Sequence, residues 1–180
     1  MRIDPVNHCI VGAEFIESPN FDARPNDADI DLIVVHNISL PPNEFGGGYV
    51  NDLFLNKLDH MIHPYFEEIK DMQVSSHLFI ERSGRLVQFV PFNKRAWHAG
   101  QSCFEGRERC NDFSIGIELE GADNIEYTDA QYDVLRAVVI CLQMTYSGLS
   151  TNNIVGHSDI APGRKTDPGP AFDWDRLSKL

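Results

Sequence analysis

The chain has 180 residues, 42% of them apolar and 23% charged, a globular composition with enough apolar side chains for one core. Its formal net charge of -12 argues against nucleic-acid binding, which takes clustered Lys and Arg against phosphates. No stretch approaches the roughly 20 apolar residues of a membrane span, and the opening Met1-Arg2-Ile3-Asp4-Pro5 does not read as a secretory signal.

A soluble, cytoplasmic protein is therefore expected. Cys9, Cys103, Cys110 and Cys141 form no C-x-x-C pair and are read as reduced thiols.

Ile30 to Ile38 (IDLIVVHNI) is β-branched and almost continuously apolar, which predicts a strand buried on both faces. Pro41-Pro42 and Gly46-Gly47-Gly48 predict a long loop, a candidate mobile rim. Short helices are expected at Val50 to Asn56 and from Pro64 toward Lys70. Val74 to Ile80 reads as a strand that turns at Ser83-Gly84 into Leu86 to Val90. Phe113 to Leu119 is a further strand.

The clearest helix spans about Asp129 to Tyr146. Thr128 and Gln131 offer a capping box, and Val134, Leu135, Val138, Val139 and Leu142 recur at helical spacing, with Gly148 as a stop. Ile154 to Gly156 reads as a short edge or core strand before a Pro- and Gly-rich loop. Trp174 to Lys179 reads as a last short helix. This pattern predicts one α/β domain with a mixed central sheet flanked by helices. Residues 1–30 are expected as an N-terminal segment packed on a domain of residues 31–180.

His36 closes the strongest strand, where open α/β sheets place their chemistry. His157 likewise follows a short strand, and Asp159 and Asp167 lie in the loop after it. Imidazole nitrogen and carboxylate oxygen suit zinc, whose catalytic sites use three protein ligands and a water. Two histidines with either aspartate supply that set. Pro168 restricts Asp167 to extended geometry.

In a strand Ile115, Ile117 and Leu119 face one way, while Gly116, Glu118 and Glu120 face the other. Either glutamate beside a metal is a natural general base, and either can equally line a solvated face. Lys165, two residues before Asp167, is placed to stabilise an oxyanion. The tract Arg95-Ala96-Trp97-His98-Ala99-Gly100, with Lys94, Arg107 and Arg109 nearby, offers a patch for a carboxylate or sugar ligand. His77 and His98 are read as structural or substrate-contacting rather than metal-binding.

The segments VVHNISLPPNEFGG (34–47), HPYF (63–66), VSSHLFI (74–80), RAWHAG (95–100), GRERCNDFSIGIELEG (106–121), YTDAQY (127–132) and GHSDIAPGRKTDPGP (156–170) stand in one order over most of the chain. Together they resemble the type 2 N-acetylmuramoyl-L-alanine amidases, which share a fold with peptidoglycan recognition proteins. Within that family they are most similar to the amidases of cell-wall recycling that act on 1,6-anhydro-muropeptides.

The resemblance implies one Zn2+ per chain on His36, His157 and Asp167. It implies Glu118 as the carboxylate that takes a proton from water, and Lys165 as the stabiliser of the tetrahedral transition state. Asn37, Tyr65, Trp97 and Arg109 are implied as substrate-binding residues. The implied partner is a small molecule, a 1,6-anhydro-N-acetylmuramyl peptide, with no nucleic acid or membrane; a monomer is the default assembly. The implied reaction is hydrolysis of the lactyl–L-alanine amide. Where a β-lactamase is inducible, loss of the activity is expected to raise its expression. The alternatives are an amidase of intact peptidoglycan, periplasmic or from a phage, and a non-catalytic peptidoglycan-binding module.

Overall fold

Residues 1–25 and 29–177 are described here from a computed structural model. In chain order the elements are β1 (Glu14–Phe15), β2 (Phe21–Ala23), β3 (Leu32–Ile38), α1 (Tyr49–Phe54), α2 (Pro64–Glu68), β4 (Leu78–Ile80), β5 (Leu86–Gln88), β6 (Lys94–Ala96), β7 (Cys103–Phe104), β8 (Arg107–Glu108), β9 (Ser114–Glu120), α3 (Asp129–Thr145), β10 (Ile154–Gly156) and α4 (His157–Ile160). Single 3₁₀ turns occur at Cys110–Asp112, Thr151–Asn153 and Trp174–Arg176.

Six strands form one mixed sheet in the order β1-β5-β4-β9-β3-β10. Only β4 and β5 pair antiparallel within it; the hairpin turn at Ser83-Gly84 joins them directly. β9 and its neighbour β3, each seven residues long, lie inside it between β4 and β10. Alternation along them sorts the side chains. Ile33 and Val35 of β3 join Ile115, Ile117 and Leu119 of β9 in the main core cluster. Leu32 and Val34 pack on the opposite face. Burying each such aliphatic side chain contributes about 1.5–3 kcal/mol.

α3 covers the main core face through Leu135, Val138, Val139 and Leu142. Its start is fixed as the sequence suggests. Thr128 and Gln131 form the reciprocal capping box. The Gln131 amide also donates to the carbonyls of Ile80 and Glu120, tying the helix to β4 and β9. α1 and α2 close the other face through Leu53, Phe54 and Phe66 against Phe79, Val87 and Phe89.

Some boundaries differ from the sequence expectation. Val74 to His77 is extended but outside the ladder: His77 N–H donates to Gly116 O, and Ser75 N–H to Trp97 O. α1 ends at Phe54 because Asn56 adopts a left-handed φ of 56°. α3 ends at Thr145, since Tyr146 is extended, and Gly148 follows in a turn pressed against Asp31. Of the helix expected at Trp174 to Lys179, only the turn Trp174–Arg176 is seen; residues 178 and 179 lie outside the described residues. The N-terminal segment reaches the core through Ile10, and β1 extends the sheet beside β5. Among the described residues, no helix is long and apolar enough to cross a membrane.

Candidate metal centre and active-site cleft

In the parallel ladder between β3 and β9, His36 is the register partner of Glu118, and Val34 of Gly116. Register partners on neighbouring strands project to the same face. One imidazole and one carboxylate therefore stand side by side on the sheet, opposite the face that α3 covers. β10 pairs with β3 on its far side, so the chain leaving Gly156 delivers His157 next to His36. The loop after α4 then returns Asp167 to the same point.

His36 Nδ1 lies 3.0 Å from His157 Nδ1 and 3.1 Å from Asp167 Oδ2, and His157 Nδ1 lies 3.0 Å from the same oxygen. Among the described residues these three form the one group of His, Cys, Asp and Glu side chains able to hold a metal ion. Asp159, the other aspartate open to that role, is used elsewhere: its Oδ2 accepts from Gly156 N–H at 2.7 Å and caps α4.

The hydrogen bonds around the ring of His157 fix its tautomer. Its Nε2 faces the carbonyl of Ala99 at 3.1 Å, a group that only accepts and lies nearer than the Arg164 guanidinium at 3.5 Å. The proton of the neutral ring therefore sits on Nε2, and Nδ1 turns a bare lone pair toward Asp167. Lone pairs converging on one point repel unless a cation stands among them, so the site is compatible with a metal ion.

The electrostatics of the cluster follow from burial. Burial lowers the His36 pKa to about 4 and outweighs the hydrogen bond to Asp167. For Asp167, burial alone raises the carboxyl, but the adjoining imidazoles of His157 and His36 prevail and hold it well below the usual carboxylate range. Glu118 goes the other way. Burial, then the charge of Asp167, push it well above 4.5, with Lys165 opposing. Its Oε2 is buried without a hydrogen-bond partner. A proton-accepting group with a raised pKa and a free oxygen beside a metal cluster is a functional-site signature.

A cleft of about 570 Å³ opens over these groups. His36, His98, Glu118, Asp123, His157, Lys165 and Asp167 form its polar end; Leu53, Phe54, Ile69 and Val74 form an apolar one. Asn37, Tyr65 and Trp97 line it, as do Ser39, Leu40, Pro42 and Asn43 at the loop expected as a rim. Arg109 does not line it. That side chain is 71% exposed on a residue with left-handed φ of 62°, paired with Asp112 at 3.3 Å.

Glu120 points to the same face as Glu118 but is committed to structure, accepting from Gly46 N–H at 2.5 Å and Arg82 N–H at 3.0 Å. Asn37 donates to Asp123 Oδ1 and to Pro168 O, and Tyr127 donates to the same Pro168 carbonyl at 2.8 Å. Tyr127 and Asp123 escaped the sequence reading; the short distance from the end of β9 is their only local signal.

A model of the N-acetylmuramoyl-L-alanine amidase family matches residues 26–170. The chain belongs to this family. The amidase fold of a crystal structure of a selenomethionine AmpD derivative superposes with a TM-score of 0.95 at 54% identity, over 99% of this chain and 98% of that one. The 1,6-anhydro-N-acetylmuramyl-L-alanine amidase AmpD of Escherichia coli K12 is 57% identical over 171 residues, 95% of this chain and 93% of its own. A more distant amidase, AmiD of E. coli, was solved with the substrate anhydro-N-acetylmuramic acid-L-Ala-D-γ-Glu-L-Lys. It is 31% identical with a TM-score of 0.61, over 87% of this chain and 60% of that one. The mixed sheet and flanking helices are thus those of the type 2 amidases.

Proposed function

We propose that this amidase hydrolyses the lactyl–L-alanine amide of 1,6-anhydro-N-acetylmuramyl peptides, with zinc on His36, His157 and Asp167. The observation that carries the reading is the free, buried Oε2 of Glu118 in one cleft with three convergent metal donors. The donor separations of 3.0–3.1 Å support a tetrahedral ion, whose ligand–ligand edges at about 2.0 Å bonds are roughly 3.3 Å. High identity to AmpD along nearly the whole of both chains supports the anhydro-sugar substrate. Four cysteines without a disulfide support a reducing, cytoplasmic setting.

When bound, zinc supplies Lewis acidity and lowers the pKa of water toward roughly 7. Glu118 accepts a proton from the attacking water and passes it to the departing alanine nitrogen. The Lys165 ammonium stands at the cleft to stabilise the oxyanion that forms when water adds to the carbonyl. The C–N bond then breaks, leaving a lactyl carboxylate on the sugar and a free peptide amine. Asn37, Tyr65 and Trp97 hold the substrate along the cleft. Arg109, paired through Nε with Asp112, meets a ligand from outside the cleft lining.

The test is turnover of a defined anhydro-muramyl tripeptide, followed by mass spectrometry with chelator and with zinc restored. Zinc-dependent release of the free peptide is the expected result. Preference for intact sacculi overturns the substrate assignment, and muropeptide binding without release under any metal overturns the enzymatic one.

A further inference from the structure

His98 is not one of the three metal donors, yet its ring lies against them at the polar end of the cleft. Its Nδ1 is 2.9 Å from His36 Nε2, and its Nε2 is 3.1 Å from Ser114 Oγ. The ring is buried and packs on β9. A Cβ on Gly116 would stand 2.4 Å from its Cγ, so glycine there leaves the space the imidazole fills. The mounts on both sides are fixed. The amides of His98 and Ala99 donate to Asn111 Oδ1, and the half-buried Arg24 donates to the carbonyls of Asn111 and Ser114.

We infer that His98 is a positioning residue for the metal: it accepts the Nε2 proton of His36 and so leaves His36 Nδ1 free to bind the ion. The reasoning is a count of protons along Ser114, His98 and His36. A neutral imidazole carries one N–H. A cation on His36 Nδ1 requires that proton on Nε2, 2.9 Å from His98 Nδ1. His98 Nδ1 must then accept, which puts the His98 proton on Nε2, donated to Ser114 Oγ.

His157 reaches the same state through the carbonyl of Ala99. The two metal histidines are therefore held by different acceptors, one a backbone carbonyl and one a side chain. Only the side chain can be changed by mutation. Partners of this kind orient metal-bound histidines and raise their basicity, and their loss typically costs 10- to 100-fold in affinity.

The inference rests on the metal reading above. Its test is therefore zinc affinity rather than activity, measured on the full chain by competition with a chromophoric chelator and with circular dichroism as the control for folding. His98→Ala is expected to bind zinc about 10- to 100-fold more weakly. His98→Asn restores most of the affinity, because its Oδ1 can accept from His36 where Nδ1 did. A role limited to filling space predicts no such rescue.

A folded His98→Ala that binds within twofold of the parent chain overturns the inference, as does a folded His98→Asn no tighter than His98→Ala. If His98→Ala does not fold, Ser114→Ala decides. It is expected to weaken binding in the same direction by less, and unchanged affinity overturns the inference. A parent chain that takes up no zinc removes the metal reading and this inference with it.

Discussion

Gly116 and His98 occupy one volume between them: a Cβ on the strand would lie 2.4 Å from Cγ, 2.6 Å from Cδ2 and 2.6 Å from Nδ1 of the imidazole. The ring cannot swing aside, since both nitrogens are engaged and its backbone amide is held by Asn111. Gly116→Ala should therefore destabilise the fold by about 1–3 kcal/mol, the cost of overpacking a closed core. It should also weaken zinc binding by moving His98 off His36. Urea unfolding with and without zinc measures both. An alanine variant as stable as the parent would show that the ring has room to move.

Much of this arrangement is written locally. The β-branched run before His36 and the alternation around Glu118 each place a side chain at a strand end or on one face, which one segment can specify. The helix at Asp129–Thr145 follows from its cap and its apolar period. What local pattern does not carry is pairing at a distance. Glu118 and Glu120 look alike in sequence, and only the loops that reach Glu120 from Gly46 and Arg82 make it structural. His98 lies 62 positions from His36, so their contact depends on the whole sheet being assembled. Arg109 looked like a cleft cation; its left-handed backbone and its pairing with Asp112 leave it outside the cleft lining.

Removing the acid–base group should separate binding from chemistry. Glu118→Gln keeps the size of the side chain and leaves the three metal donors intact, so zinc content should stay near one per chain. Turnover should fall by roughly 10²–10⁴, the usual contribution of a general base. His157→Ala should lose the metal as well as the activity. Metal analysis beside steady-state rates distinguishes the two. A Glu118→Gln enzyme with a near-parental rate would refute the general-base role.

Two of the bonds that hold the loop carrying Asp167 meet at one carbonyl. Pro168 O accepts from the buried Tyr127 hydroxyl at 2.8 Å and from the Asn37 amide at 3.1 Å. Tyr127→Phe deletes the first donor with little change of shape, and should cost about 1 kcal/mol of stability. Because the same loop presents Oδ2 to both histidines, zinc should also dissociate faster from Tyr127→Phe. Chelator-driven release followed in a stopped-flow instrument is the direct measurement. Equal release rates would mean that the other bonds, from Asn37 to Pro168 O and from Ser158 N–H to Asp167 O, are enough to fix the loop.

Without metal, the buried imidazoles should set the pH dependence of stability. Burial lowers His36 from 6.5 to about 4 and holds His77 and His98 well below 6.5. In that interval the unfolded chain binds more protons at these three positions, so stability is full above pH 6.5 and is lost as pH falls toward 4. For His36 alone the difference is on the order of 3 kcal/mol, at 1.36 kcal/mol per pKa unit. Glu118 opposes them. Buried, and beside the charge of Asp167, it keeps its proton above 4.5 in the folded state, so it costs stability as pH rises from 4.5 toward its folded pKa. Between 4.5 and 6.5 three imidazoles stand against one carboxyl, so the gain with rising pH prevails. Urea midpoints of chelator-treated protein should thus rise from pH 4.5 to about 6.5, and Glu118→Gln should steepen the rise by removing the opposing group. A parent midpoint that stays level between pH 4.5 and 6.5 would mean that these histidines accept protons without leaving the folded state.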